Sequence, residues 1–347
     1  MSAFNILRQF ARRVKATVEP IDHWRAISPF NYYVLLDHPL IVLTTTTRSL
    51  GRVVEMAERL NGRTADFIVG FSWTMARPEI AIMLKREAKR ITSRFPNVRI
   101  VFLCNAREEY NIFTRYKIHC EFVNKNCFLD ERIYRIEDGC EKRFDAIMNA
   151  RMMCFKRHLL AKEVPQLLMI TSGIDSDPEY FAEVQEQLKN TTWANYRVGE
   201  YERLSAAEVS SSLNQAKVGL ILSRVEGQCQ ASAEYLLCGL PVVTTPSRGG
   251  RDVFFDIDYV TVVEADATAV RDGVTAMKSC SISAVQIRER TLQKFGDHRT
   301  RFCELLNRLS SERGGKSDFS PTTWFDHWDN KLKKFRTPDE FASQLVD

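Results

Sequence analysis

Long apolar runs are missing from this 347-residue sequence: no stretch reaches the roughly eighteen consecutive apolar positions a bilayer-spanning helix needs. Its first residues hold no uninterrupted apolar segment of the kind that directs export. Nine Cys occur singly, at Cys104, Cys120, Cys127, Cys140, Cys154, Cys229, Cys238, Cys280 and Cys303, with no CxxC pair and no Cys/His block spaced for zinc. That odd, unpatterned set implies reduced thiols rather than a disulfide framework, and a cytoplasmic location is expected. Charge of one sign is scarce as well. The 49 Lys and Arg oppose 44 Asp and Glu, a net charge of +5, which does not supply the clustered basic face of a nucleic-acid module. No nucleic acid is expected as a partner. Internal repeats and low-complexity tracts are absent.

What is present, 44% hydrophobic beside 27% charged residues, describes a globular chain with length enough for two domains and their cores. Residues 1–18 carry Phe4, Leu7, Ala11, Val14 and Val18 at helical spacing, with Arg8, Arg12, Arg13 and Lys15 around them, and Pro20 ends the pattern. Such a helix either lies in a membrane interface, with its cations near anionic lipid, or packs its stripe on the domain. From Tyr33 onward short β-rich runs alternate with helical patterns, the mark of βαβ units. Strands are expected at 33–36 or 40–45, then 67–72, 98–105 and 120–124, with helices at 49–61 and 78–95. The charged, Gly-containing segment 136–143 is the expected boundary. A second series follows, with strands at 146–150, 166–171, 196–201, 218–223, 241–245 and 260–264, and helices at 156–163, 178–189, 206–216 and 229–238. The expected organisation is an αβ domain over 1–140, a second over 141–310 and a helical tail over 311–347 that packs back on the first. The tail would hold an aromatic, basic helix over 324–335 and a last helix opened by Thr337-Pro338-Asp339-Glu340.

Chemistry concentrates between Val218 and Asp252. A buried strand ends in a polar loop with Glu226 and Gly227, then a helix that must stop at Gly239, because Gly tolerates positive φ there and Pro241 cannot continue the turn. In a parallel sheet the loops after strand C-termini line the ligand crevice, so Glu226, Gln228 and the first amides of the helix face it. Glu234 follows Glu226 by eight positions, inside the helix. Two separated carboxylates suit two hydroxyl-bearing parts of one ligand, and a helix N-terminus approached by Gly227 suits an anion. Arg151, at the end of an earlier strand, and Lys156, five positions on, would converge on a diphosphate. The alternative for each is a solvated surface charge. His38 and His119 are further candidates, and segment 105–109 is a candidate rim. Asp256-Ile-Asp258 has the form of a metal-binding DxD but is read as a structural turn.

These residues carry a resemblance. The stretch 146–309 resembles the nucleotide-sugar-binding domain of retaining glycosyltransferases of family 4: Glu226 and Glu234 with seven residues between, Cys238-Gly239-Leu240-Pro241-Val242-Val243, Gly249-Gly250, and Arg151 with Lys156. The resemblance implies an α/β fold with two Rossmann-like domains facing a cleft (GT-B), 1–140 on the acceptor side and 141–310 binding the nucleotide sugar. It implies that Glu226, Arg151 and Lys156 are catalytic, with Glu226 at the donor sugar and Glu234 on the ribose. Gly227, Gln228, Cys229, Gln230, Gly173, Gly249 and Gly250 complete the expected donor site. No metal or other cofactor is implied; the nucleotide diphosphate sugar is a substrate. Ala150, Cys229 and Tyr235 depart from the family pattern, where Gly, Gly and Ala are usual. The expected activity is retaining transfer of a hexose to a hydroxyl of a glycan or lipid-linked acceptor in cell-surface glycan or polysaccharide assembly, with residues 1–18 on the inner membrane face. The alternative is a non-catalytic GT-B-like nucleotide- or glycan-binding partner.

Overall fold

The computed structural model describes residues 32–47, 49–189, 191–197, 199–325 and 338–343. The expected amphipathic helix over 1–18 lies outside these residues, as does most of 324–335; the described start of the latter, Pro321–Phe325, is a π-helical turn. The chain forms two compact units: Met1–Phe122 with Phe302–Ser320 and Leu332–Asp347, and Val123–Arg301 with Pro321–Lys331. The division falls after Phe122, upstream of the charged break at 136–143 expected to end the first domain. The intervening segment is held inside the second unit: Arg299 Nε donates to the Cys127 carbonyl at 2.7 Å and Arg288 Nη1 to that of Tyr134 at 2.6 Å. Of the expected tail, Leu332–Asp347 and the part up to Ser320 count with the first unit, as expected, and Pro321–Lys331 with the second.

In the first unit, strands β1 (Tyr32–Asp37), β2 (Leu40–Thr46), β3 (Ala65–Phe71), β4 (Val98–Cys104) and β5 (Cys120–Phe122) lie side by side in that order. The first pair is antiparallel and the others parallel. Both 33–36 and 40–45 are strands, joined as a hairpin. Every residue of β3, ADFIVGF, is buried, the uniform pattern of a strand covered on both faces. The cover includes α1 (Gly51–Glu58), α2 (Pro78–Arg94) and α3 (Arg107–Arg115). Pro78 opens α2, where its missing N–H costs nothing, with Glu79 beside the positive end of the helix. Asp66, fully buried in β3, is held by Arg99 Nε at 2.9 Å and Arg313 Nη2 at 2.8 Å, so its charge is compensated from two sides.

The second unit is built on a six-stranded parallel sheet. Its strands in chain order are β6 (Phe144–Arg151), β7 (Leu167–Ser172), β8 (Thr192–Trp193), β11 (Ala216–Ile221), β12 (Val242–Thr244) and β13 (Val260–Val262); β9 (Tyr196–Arg197) and β10 (Glu200–Tyr201) form a separate ribbon where one strand was expected. The spatial order β13-β12-β11-β6-β7-β8 means that the chain runs outward from β6 to β8, then crosses back to β11 and proceeds the other way. The order therefore reverses between β6 and β11, which sets the crevice at their C-terminal ends. Helices α4 (Pro178–Gln187), α5 (Ala206–Asn214) and α6 (Gln230–Leu237) connect strands, and α7 (Ala267–Met277) follows β13. α8 (Ala284–Glu312) begins in this unit and ends in the first, which also holds the short α9 (Pro338–Ser343).

One close approach fixes α6 on the sheet. The Tyr235 ring lies where a side chain on Gly219 would begin, 2.3 Å from a Cβ at that position, and the Tyr235 hydroxyl accepts from the Asn149 amide at 2.5 Å. The large residue at 235 is thus accommodated by the absence of one at 219. Gly219→Ala is expected to cost about 1–3 kcal/mol through overpacking. Denaturant unfolding reads this, and an unchanged midpoint would contradict the packing argument.

Candidate functional site

The residues singled out in the second unit gather on the switch-point edge. Asn149 and Arg151, two apart on β6 and so on one face, line a cavity of about 420 Å³ with Thr171 and Gly173 of the β7 edge and with Tyr201 and Arg203. Arg151 is exposed, donates from Nη2 to Ser176 Oγ at 3.1 Å, and lies across Gly173, where a Cβ would come within 2.6 Å of its Nε.

Lys156 does not start an α-helix as expected. The segment forms two 3-10 turns, Cys154–Lys156 and His158–Ala161, separated by Arg157 in the left-handed region at φ 57°. Tertiary bonds account for the break, since Arg157 Nε donates to the Leu222 carbonyl and Nη2 to Thr245 Oγ1, both at 2.6 Å. The turn sends the Lys156 ammonium to the Glu226 carboxylate, an ion pair whose side chains are only 16% and 7% exposed.

The Glu226 loop is tied down on two sides. Its amide donates to the Arg248 carbonyl at 3.0 Å and the Gly250 amide to the Gly227 carbonyl at 2.6 Å, so loop 223–228 runs beside loop 245–250. Asn126 Nδ2 donates to the Gln228 carbonyl at 2.9 Å, and Asn124 Nδ2 to that of Gly250 at 2.8 Å. Cys229, the N-cap of α6, takes φ 50°, a left-handed conformation that explains why Gly is usual at this position in the resembling family. Burial foremost, with the Glu226 carboxylate adding to it, pushes the Cys229 thiol up to about 12. It stays protonated at neutral pH and is no nucleophile.

Glu234, one turn into α6 and 4% exposed, accepts from Gln230 Nε2 at 2.9 Å, from Asn149 Nδ2 at 3.0 Å and from the Tyr134 hydroxyl. Burial raises its carboxyl above the usual range, and those three donors pull the other way. A carboxylate offers about four acceptor positions, so about one remains for a ligand hydroxyl. Asn149 thereby links Glu234 to the cavity that Arg151 borders. The structure joins the four expected groups as Lys156 with Glu226, and Glu234 through Asn149 with the Arg151 cavity.

Sequence reasoning missed Asn149, Tyr134, Asn124, Asn126 and Arg251. Arg251, 1% exposed, donates to the carbonyls of Ser223 at 2.9 Å and Thr245 at 2.7 Å and pins the ends of β11 and β12 together. Asn149 had a signal, since it shares a strand face with Arg151; the others act across long sequence separations.

The remaining candidates fall elsewhere. His38 precedes β2 and His119 precedes β5, which puts both at strand beginnings, away from the C-terminal ends where a crevice forms. Segment 105–109 does lie past a strand end, β4, and Glu109 there is buried, accepting from the Met75 and Asn105 amides, each at 2.7 Å. The carboxylates of the DxD-like turn are spent in ion pairs, Asp258 with Arg290 at 2.6 Å and Asp256 with Lys294 at 3.2 Å. Among the described residues no group of three or more His, Cys, Asp or Glu could hold a metal ion, and no helix is long and apolar enough to cross a membrane.

His158, fully buried and bonded to the Tyr180 hydroxyl at 3.2 Å, has its imidazole lowered to about 4 by burial first. A lowered folded-state value means that its stability contribution is complete above pH 6.5 and is lost as pH falls toward 4, with an amplitude on the order of 3 kcal/mol. Unfolding free energy measured across that interval should drop, and His158→Gln should flatten the slope; parallel curves for the two proteins would refute the assignment.

Comparisons with known proteins bear on this geometry. The chain aligns with the structure of Anabaena Alr3699/HepE in complex with UDP-glucose at TM-score 0.56 and 16% identity, covering 78% of each chain. It aligns with sucrose-phosphate synthase from Thermosynechococcus elongatus at TM-score 0.58 and 15% identity, covering 78% of this chain and 74% of that one. The fold is of the GT-B class. At these identities the likeness is one of fold. No protein-family model matches the sequence, and no curated protein matches it.

Proposed function

We propose that the protein is a retaining glycosyltransferase, of family 4 type, that moves a hexose from a nucleotide diphosphate sugar to an acceptor hydroxyl. The reading is carried by the meeting of Lys156 and Glu226 at the switch point, beside a cavity bordered by Arg151. The cavity suits the nucleobase: Thr171 Oγ1, buried and without a hydrogen-bond partner, is on its lining. Glu234 takes a ribose hydroxyl, and the diphosphate lies against Arg151, Lys156 and the first amides of α6. Gly227, Gln228, Cys229, Gln230, Gly249 and Gly250 surround the donor through the paired loops. Support also comes from the fold shared with HepE, crystallised with UDP-glucose.

In this mechanism negative charge grows on the departing diphosphate as the anomeric C–O bond breaks. Arg151 and Lys156 meet that charge more strongly in the transition state than in the ground state, and so do the work a divalent metal would otherwise do. Glu226 accepts from hydroxyls of the donor sugar and holds Lys156 in position until the diphosphate shares its ammonium. The acceptor hydroxyl attacks the same face that the diphosphate leaves, through an oxocarbenium-like ion pair, and the leaving phosphate removes its proton. The acceptor is a glycan or lipid-linked hydroxyl in cell-surface polysaccharide assembly on the cytoplasmic membrane face, with residues 1–18 as the contact. Incubation with a panel of UDP- and GDP-hexoses, followed by mass spectrometry and NMR of the product's anomeric configuration, tests the proposal. An inverted product would refute retention, and binding without turnover on any donor and acceptor would favour a non-catalytic nucleotide-binding role.

A further inference from the structure

The helices that cover the first sheet carry charge that the donor site leaves unused. Strands β2 to β5 lie in chain order and run parallel, so their right-handed connections set α1, α2 and α3 on one face of the sheet, with α2 in the middle. α2 is tied to a neighbour on each side. Arg94 Nη2 meets the Glu58 carboxylate of α1 at 2.9 Å, and Lys85 Nζ donates to the Tyr116 carbonyl at the end of α3 at 2.8 Å. The buried residues of α2, Ile80, Ala81, Leu84 and Ile91, face the sheet, so Arg86, Lys89 and Arg90, at i, i+3 and i+4, stand on its outward crest. Arg115 and Lys117 flank Tyr116 and extend the crest where Lys85 meets α3.

These six cations are all exposed, and among the described residues Arg86, Lys89, Arg90, Arg115 and Lys117 have no ion pair. The carboxylate inside the run, Glu87, is half-buried and accepts from the Leu50 amide at 3.0 Å. The exposed acids Glu79 and Glu108 sit in the first turns of α2 and α3, at the other end of the layer. A helix dipole favours cations only in the last turn, so it does not account for those in the middle of α2. Six cations outnumber the net charge of +5 for the whole chain, and the near balance of the sequence conceals a one-sided surface. A ridge of this kind lies tangent to a plane and offers no groove to a duplex. Among the described residues the exposed large apolar side chains are Tyr201, Ile257, Val262 and Val285, none of them on the ridge to stack a base.

We propose that the crest of α2, with Lys85, Arg115 and Lys117, docks on an anionic phospholipid leaflet. This rests on the membrane placement proposed above and supplies the second contact that reversible attachment through one short basic helix lacks. Each Lys or Arg held at such a leaflet tightens binding about fivefold, and salt opposes it.

Vesicle co-sedimentation of the full chain tests it, with phosphatidylcholine vesicles used alone or with about one part in three of phosphatidylglycerol. The wild type should bind the anionic vesicles roughly tenfold or more tightly than the neutral ones, and lose that preference as salt rises from about 0.1 M to about 0.5 M. Arg86→Gln/Lys89→Gln/Arg90→Gln, which keeps good helix formers at exposed positions, should weaken anionic binding on the order of 100-fold at an unchanged melting temperature. Lys162→Gln/Lys189→Gln/Arg197→Gln removes the same charge from exposed positions of the second unit and should change binding by less than about fivefold. Equal losses in the two triple variants would overturn the crest by reducing the effect to net charge. Undiminished binding by the crest variant would overturn it too, and would leave the membrane placement to residues 1–18; absence of binding by the wild type would end both. Short duplex RNA that binds the wild type as tightly as the vesicles do, and fails to bind the crest variant, would overturn the lipid assignment in favour of a nucleic acid.

Discussion

Replacing Lys156 with Ala is expected to lower sugar transfer by ~10²-fold or more, the loss typical of one preorganised electrostatic donor. The ion pair makes the experiment more demanding than a rate measurement. Glu226 is only 7% exposed, and without its ammonium partner it becomes a buried, uncompensated carboxylate. Breaking such a pair from one side costs on the order of 3–5 kcal/mol, so the single variant loses stability as well as rate. The double variant Lys156→Ala/Glu226→Gln removes the stranded charge, so stability should return while transfer stays lost, which shows that the loss of rate is not a loss of folding. Transfer by Lys156→Ala within a fewfold of wild type would remove Lys156 from the mechanism. Recovery of transfer in the double variant would reduce its role to that of a counter-ion.

The second large effect concerns nucleotide affinity. Glu234→Ala should weaken UDP binding roughly 10- to 100-fold, the contribution of a hydrogen bond to a charged acceptor. Glu226→Ala should abolish transfer and leave UDP affinity within a fewfold, since in the proposed donor mode Glu226 addresses the sugar. The Glu234 carboxyl is raised by burial and binds a hydroxyl best when ionised. UDP affinity should therefore hold above that raised value and fall as pH drops through it. Superimposable UDP titrations for wild type and Glu234→Ala would end this division of labour.

How much of this was legible in sequence depends on whether the interaction is local. The run from Val218 to Asp252 encodes its own strand, loop, helix and stop, because Gly239 and Pro241 act on their own backbone, and β11, α6 and β12 appear where the pattern puts them. The α/β alternation likewise emerged from short-range periodicity. What failed was decided at a distance. The helix expected at 156–163 is broken by Arg157, whose guanidinium is drawn to Leu222 and Thr245, and nothing near residue 157 announces that pull. Tyr134 and Asn126 reach α6 from about a hundred residues away and leave no periodic trace. The boundary was misplaced for the same reason, since 123–136 follows a strand of the first unit in sequence but bonds to the second through Arg288 and Arg299. Those arginines sit on α8, which no expected element covered.

The α8 helix has a consequence for how this protein can be recombined. Its residues to Arg301 count with one unit and those from Phe302 with the other, and after Ser320 the chain changes unit twice more. Neither unit is a contiguous cassette. A chimera exchanging the C-terminal part at a single junction near residue 122 would import a foreign partner for β1–β5 and discard Arg313, the guanidinium that helps neutralise Asp66. Functional hybrids should require paired crossovers, one after Phe122 and one within the helix near Arg301.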